Sequence, residues 1–244
     1  MHRWLARGEH DIPPTSEWLS PREAAWLPRL HYTKRRTEFL LRRWAGKNAV
    51  AAAAGLPIDP RSLASIEIAN RESGAPYVLV DGVPHGLDIS LSDRAGWAVA
   101  LVGSGLGRLG IDLEIVEERS AGFVSDFLTA AEQGYVAAHA DPHLAANLLW
   151  SAKESALKVL QTGLRRDTRS VEVSLGSVGS GGWGSLEVRP VEGGVLTGWW
   201  RRDGVFLLTM AADRPFDPPE LLPGSADLAA AEPVHSWVER PLVD

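Results

Sequence analysis

An α+β fold made of two similar halves is predicted, and three observations predict it. Tryptophan and lysine stand three apart in Trp44-Ala45-Gly46-Lys47 and again in Trp150-Ser151-Ala152-Lys153. Ser65-Ile66-Glu67-Ile68 returns as Ser170-Val171-Glu172-Val173 at nearly the same offset. Gly96-Trp97-Ala98-Val99-Ala100-Leu101 has its counterpart in Gly204-Val205-Phe206-Leu207-Leu208-Thr209. Each copy reads as a long helix, then a strand, then a hairpin-like pair of strands. The expected architecture is therefore two pseudo-duplicated halves, residues 1–108 and 109–216, each a small antiparallel sheet packed against one long helix. The cleft between halves is the natural active site.

The elements follow in order. Met1 through Glu9 lacks the apolar stretch of a secretory signal. A helix is predicted from Thr33 to Ala54, where Phe39, Leu40, Trp44 and Ala51 recur near helical spacing and Gly55-Leu56-Pro57 stops it. Strands are expected at Ser65–Ile68, Tyr77–Val80 and Trp97–Val102, from alternation and from β-branched and aromatic content. The glycine-rich run Gly103–Gly110 reads as a turn into a strand around Asp112. A second long helix spans Leu144 to Leu160, Gly179-Ser180-Gly181-Gly182 forms a hairpin loop, and Val205–Met210 is a further strand. Residues 217–244, rich in proline, alanine and acidic side chains, read as a peripheral or partly disordered tail that Trp237 and Val238 could dock.

Composition narrows the chemistry. With 244 residues, 45% of them hydrophobic, the chain can bury one large core or two moderate ones. A formal net charge of -6 gives no reason to expect a nucleic-acid partner, and no apolar run approaches a bilayer span, so a soluble cytoplasmic protein is expected. The chain has no cysteine, so a catalytic metal would be held by oxygen or histidine nitrogen.

Two stretches carry that chemistry. In Gly110-Ile111-Asp112-Leu113-Glu114, strand alternation puts Asp112 and Glu114 on one face and Ile111 and Leu113 on the other. Two carboxylates so close call for a compensating cation. The plainer reading is a solvated acidic edge continued by Glu117 and Glu118. In Trp150-Ser151-Ala152-Lys153-Glu154-Ser155-Ala156-Leu157-Lys158, Glu154 and Lys158 are four apart on a helix beside residues that should bury. Here the plainer reading is a structural ion pair. Oxygen ligands from Asp112, Glu114 and Glu154, completed by water and phosphate, would suit Mg²⁺, and phosphoryl chemistry becomes the leading class. On the first helix Arg36, Arg43 and Lys47 fall on one face, as a phosphate-binding cluster or a solvated surface. No Walker A loop is present.

These motifs resemble those of the 4'-phosphopantetheinyl transferases, in their larger monomeric class with two pseudo-duplicated halves. Gly110 to Glu114 is similar to the family's Gly-(Ile or Val)-Asp-x-Glu motif, and Trp150 to Lys158 to its Trp-(Ser or Thr)-x-Lys-Glu-(Ser or Ala)-x-x-Lys motif. Phe127-Leu128-Thr129-Ala130-Ala131-Glu132 resembles the linker between them. The resemblance implies Mg²⁺-dependent transfer of the phosphopantetheine arm from coenzyme A to a serine of an acyl or peptidyl carrier protein, releasing 3',5'-ADP. It implies Asp112, Glu114 and Glu154 as metal ligands, Glu154 and Lys158 as catalytic residues, and Lys153, Arg36, Arg43 and Arg94 as contacts to coenzyme A. The acceptor would be an acidic helical domain, meeting basic and apolar surface near Arg35 or the segment Phe123 to Tyr135. Asp93 and Ala75 stand where the family places a histidine and a lysine facing phosphate, so Arg94 or the cluster Arg36 and Arg43 would replace them, coenzyme A would bind weakly, or the donor would lack its 3'-phosphate. Other readings are an inactive relative serving as a scaffold subunit and an Mg²⁺-dependent nucleotide diphosphate hydrolase.

Overall fold

The long first helix ends where the sequence stops it. In the computed structural model, which describes residues 1–105 and 107–235, helix α2 runs Thr33–Ala54 and closes on Gly55, whose φ of 69° lies in the left-handed region that a side chain disfavours. The chain divides into two units: Met1–Gly105 with Pro219–Asp227 and the chain from Glu232, and Leu106–Pro218 with Leu228–Ala231.

In the first unit β1 (His2–Gly8) is followed by the short α1 (Pro21–Ala24), α2, α3 (Pro60–Ser65), β2 (Ile66–Asn70), β3 (Pro76–Val80), β4 (Val83–Pro84), β5 (Leu87–Arg94) and β6 (Trp97–Ser104). Strands β2, β3 and β4 form one antiparallel sheet, and β1, β6 and β5 belong to another. Its core gathers Leu41, Ala45, Ala49 and Val50 from α2 with Leu5, Ile66, Ile68 and Ala100 from the strands. The alanines let the helix lie close on the sheet.

The second unit contains β7 (Leu109–Ile115), α4 (Ala121–Phe127), α5 (Ala130–Ala138), α6 (Pro142–Val159), β8 (Val171–Val178), β9 (Gly184–Pro190), β10 (Leu196–Asp203) and β11 (Phe206–Ala212). Its five strands make one antiparallel sheet in the order β7-β11-β10-β9-β8. Ala145, Leu149, Ala152 and Ala156 of α6 pack on Val171, Val188 and Ala211. The α+β class agrees with the expectation and each unit has one long helix, while the first unit carries two sheets where one was expected.

The expected tail is corrected by the structure. Residues Glu220–Leu221 form β12, parallel to β1, and the contact continues as Leu222 and Ala226 donate their backbone N–H groups to Trp4 and Ala6. Leu222 is buried in the first core, so this segment is part of the fold rather than a loose extension. Trp237 and Val238 lie outside the described residues. Among the described residues no helix is long and apolar enough to cross a membrane.

Candidate active site

The repeat extends to a matched ion pair buried in each unit. In the first, Ser20 and Glu23 form a capping box, Glu23 also accepts from the Ile68 N–H at 3.0 Å, and Lys47 Nζ lies 2.5 Å from its other oxygen. In the second, Thr129 and Glu132 form the capping box, Glu132 accepts from the Val173 N–H at 2.8 Å, and Lys153 Nζ lies 2.8 Å away. Both lysine side chains are 0% exposed. A buried charge is tolerable only when paired and hydrogen-bonded, and each lysine also donates to backbone carbonyls, Lys47 to Trp18 and Lys153 to Thr168 and Val171. This corrects the expectation that Lys153 reaches a substrate phosphate.

On the second scaffold, β7 presents its acidic pair to α6. Gly110 makes the approach possible, because a Cβ there would sit 1.9 Å from the Ser155 carbonyl oxygen. Two residues on, Asp112 is 6% exposed. It accepts from Ser151 Oγ at 2.9 Å and from Lys158 Nζ at 2.9 Å. The Lys158 ammonium also donates to the Ile111 carbonyl at 2.7 Å. Thr209, opposite Asp112 on β11, shares hydrogen bonds with Ser151 and Ser155. Asp112 thus has one orientation.

Glu154 stands one turn before Lys158 on α6. Burial first, and the charge of Asp112 second, push its carboxyl up to about 7, while Lys158 opposes the shift. A carboxylate tuned to neutrality beside an ammonium can accept and release a proton at working pH.

Glu114 is placed differently. Its Oε1 accepts from Trp150 Nε1 at 3.0 Å, and its Oε2 lies 3.5 Å from Arg119 Nη2. Phe123, Phe127 and Trp150 stack around this corner with ring centroids 5.0–5.2 Å apart. Among the described residues, no three His, Cys, Asp or Glu side chains form a group able to hold a metal ion. Glu114, the third expected ligand, also contacts a guanidinium and an indole. Asp112 and Glu154 still feel one another electrostatically. Such an oxygen pair fits Mg²⁺, which is commonly held by one or two carboxylates together with substrate phosphate and water.

The cations of the first unit also differ from expectation. The Arg43 guanidinium is largely buried, donates to the Ile68 carbonyl and Asn70, and lies 4.5 Å over Phe39, which makes it part of the helix–sheet packing. Arg36 donates to the Leu27 carbonyl at 3.3 Å and remains partly exposed. Arg94 sits at the end of β5 before the turn to β6. Asp93 pairs with Arg42, which offsets the negative charge expected to repel a phosphate.

The sequence gives no role to Ser151, Thr209 or Arg119, and it shows Glu132 only as the glutamate of the linker. The capping-box spacing of Thr129 and Glu132 was the one readable signal among them.

Comparison with known proteins bears on this region. Residues 108–184 match the family model described as the 4'-phosphopantetheinyl transferase superfamily. A protein named holo-(acyl-carrier-protein) synthase from Anoxybacillus flavithermus is 38% identical over 71 residues, which are 29% of this chain and 59% of that protein. One of the same name from Latilactobacillus sakei is 42% identical over 76 residues, 30% of this chain and 62% of the relative. The chain thus spans about three-fifths of the length of the curated relatives it matches. The crystal structure of the Thermotoga maritima holo-(acyl-carrier-protein) synthase aligns with 49% of this chain and 77% of its own, at 22% identity and a TM-score of 0.31, too loosely to bear on the fold. The segment matched by the family model includes β7, the linker and α6.

Proposed function

We propose that the protein moves the 4'-phosphopantetheine arm of coenzyme A onto a serine of an apo acyl or peptidyl carrier protein and releases 3',5'-ADP, acting as a monomer. The observation that supports this reading best is Asp112, held by Ser151 and Lys158 at 2.9 Å each, with Glu154 one turn before Lys158 on α6. Mg²⁺, held by Asp112 and Glu154, would neutralise the donor's diphosphate. Glu154 takes the proton of the serine hydroxyl as that oxygen attacks the β-phosphorus. The new phosphorus–oxygen bond forms as the one to the nucleotide breaks. Lys158 meets the departing oxygen with an ammonium hydrogen left after its bonds to Asp112 and the Ile111 carbonyl. Ser151 and Thr209 keep Asp112 oriented throughout.

The test is intact-mass measurement of apo carrier proteins incubated with Mg²⁺ and coenzyme A or dephospho-coenzyme A, comparing wild type with Glu154→Gln. A gain of the pantetheine arm with wild type alone supports the reading. No gain across a broad carrier panel would overturn it, in favour of a scaffold protein, and diphosphate cleavage without a carrier would make the protein a hydrolase.

A further inference from the structure

Three hydroxyls lie behind Asp112, those of Ser151 and Ser155 on α6 and of Thr209 on β11, and all three residues are 0% exposed. Ser151 Oγ is 2.9 Å from Asp112 Oδ2 and 2.9 Å from Thr209 Oγ1. Ser155 Oγ is 2.7 Å from Thr209 Oγ1 and 3.0 Å from the Thr209 carbonyl oxygen. Each hydroxyl has a single hydrogen to give, and that fixes the direction of the bonds. Asp112, ion-paired with Lys158, is a carboxylate and can only accept, so the Ser151 hydrogen goes to it. The hydrogen between Ser151 and Thr209 then has to come from Thr209. Ser155 is left to donate to Thr209, at its hydroxyl or its carbonyl.

The first unit shows that the fold does not need these hydroxyls. Its hairpin and helix alignments set Ala100 against Thr209, Ala45 against Ser151, Ala49 against Ser155 and Leu5 against Asp112. All four are 0% exposed in the first core. The same contact of helix and sheet is made there with apolar side chains alone, and hydroxyls enter it only where a carboxylate has to be held. Resting on the transfer reading above, we propose that Thr209 is a positioning residue of that site, the controlling donor in a one-way chain that runs from Ser155 through Thr209 and Ser151 to Asp112. Each bond in such a chain polarises the next. By filling the acceptor side of Ser151, Thr209 keeps the serine hydrogen on Asp112 and away from its other outlet, the carbonyl of Asn147 one turn back on the helix. With Ser151 on Oδ2 and Lys158 on Oδ1, the plane of the carboxylate is fixed, and with it the direction in which Asp112 can meet Mg²⁺.

The test uses the whole protein labelled with ¹³C at its aspartate carboxyls, with the Asp112 resonance assigned by its loss in Asp112→Asn. Thr209→Val keeps the shape of the side chain and removes the hydrogen, so it should move that resonance, and Thr209→Ser should return it toward wild type. Ser155→Ala leaves the Thr209 hydrogen in place and should move it least. Mn²⁺ titrated into the protein with coenzyme A, and followed by the loss of its free EPR signal, should bind Thr209→Val about tenfold more weakly than wild type, as loss of an outer-shell partner does. An Asp112 resonance indifferent to Thr209→Val, one moved as far by Ser155→Ala, or a Thr209→Val protein that binds Mn²⁺ as wild type does, would overturn the proposal and leave Thr209 a packing residue. If Thr209→Val does not fold, Thr209→Ala repeats the comparison. If wild type binds no Mn²⁺ and modifies no carrier, the transfer reading falls, and the Asp112 resonance still decides whether Thr209 holds the carboxylate.

Discussion

The two units share a buried latch and part company at the place where one of them could do chemistry. Hairpin register aligns Trp97 with Phe206, and the strand pairings then set Leu5 against Asp112 and Arg7 against Glu114. On the helices, alignment through Trp44 and Trp150 sets Ala45 against Ser151, Asn48 against Glu154 and Ala52 against Lys158. Where the second unit has acids and an ammonium, the first has Arg7 donating to Asn48 Oδ1 at 3.2 Å, with Leu5 and Ala45 in its core. One scaffold therefore carries a self-satisfied corner in the first unit and an electrostatically strained one in the second. The difference teaches that the latch belongs to the fold, whereas the carboxylates are an addition that the fold tolerates.

The comparison breaks most severely at the latches. Lys47→Met and Lys153→Met each remove the ammonium nearest a buried glutamate, leaving Glu23 only Arg43 at 3.9 Å, and each should cost about 3–5 kcal/mol. Urea unfolding followed by tryptophan fluorescence measures both, and losses of similar size would establish the latches as equivalents. A near-neutral Lys153→Met would separate them.

Glu154 offers the next largest effect, and it has opposite signs in function and stability. Its folded-state carboxyl is raised to about 7 from an ordinary value of 4.5. The folded protein therefore binds the extra proton between those values, and its stability falls as pH rises through that window. Above it, Glu154→Gln should stabilise metal-free protein by about 2–3 kcal/mol, and near pH 4.5 by almost nothing. Melting curves in EDTA at the two pH values check this. The same substitution should reduce carrier modification by about 10²- to 10⁴-fold.

The smallest effect sharpens the contrast. Asn48→Glu places an acid beside Arg7, where a cation already waits, and should change stability by less than about 1 kcal/mol. Calorimetric melting would show it. A large loss would mean that the first corner cannot accept the charge that the second one holds.

Much of this is legible in the sequence. Gly55-Leu56-Pro57 marks the end of α2 because a left-handed cap and a proline restriction are local effects. The Trp-x-x-Lys repeat marked the duplication, although the reason for its lysine did not show: Lys153 is buried only because Glu132, on another helix, meets it. For the same reason alternation correctly placed Asp112 and Glu114 on one face but could not reveal that Lys158 takes one and Arg119 the other. Those partners come from separate elements. The strand at Glu220–Leu221 was invisible because two residues among prolines and alanines carry no period.

That short strand has a consequence for where the chain can be shortened. From Glu220 to Ala226 it occupies the outer side of β1, accepting Arg7 at the Gly224 carbonyl and receiving the Ala6 N–H at Ser225 Oγ. A chain ended at Pro218 would keep every residue of the proposed site and yet bare a row of backbone donors and acceptors along β1. Bared strands of that kind pair with one another. Self-association, rather than lost chemistry, is the failure to expect from removing the end of this protein, and sedimentation of the shortened chain would reveal it.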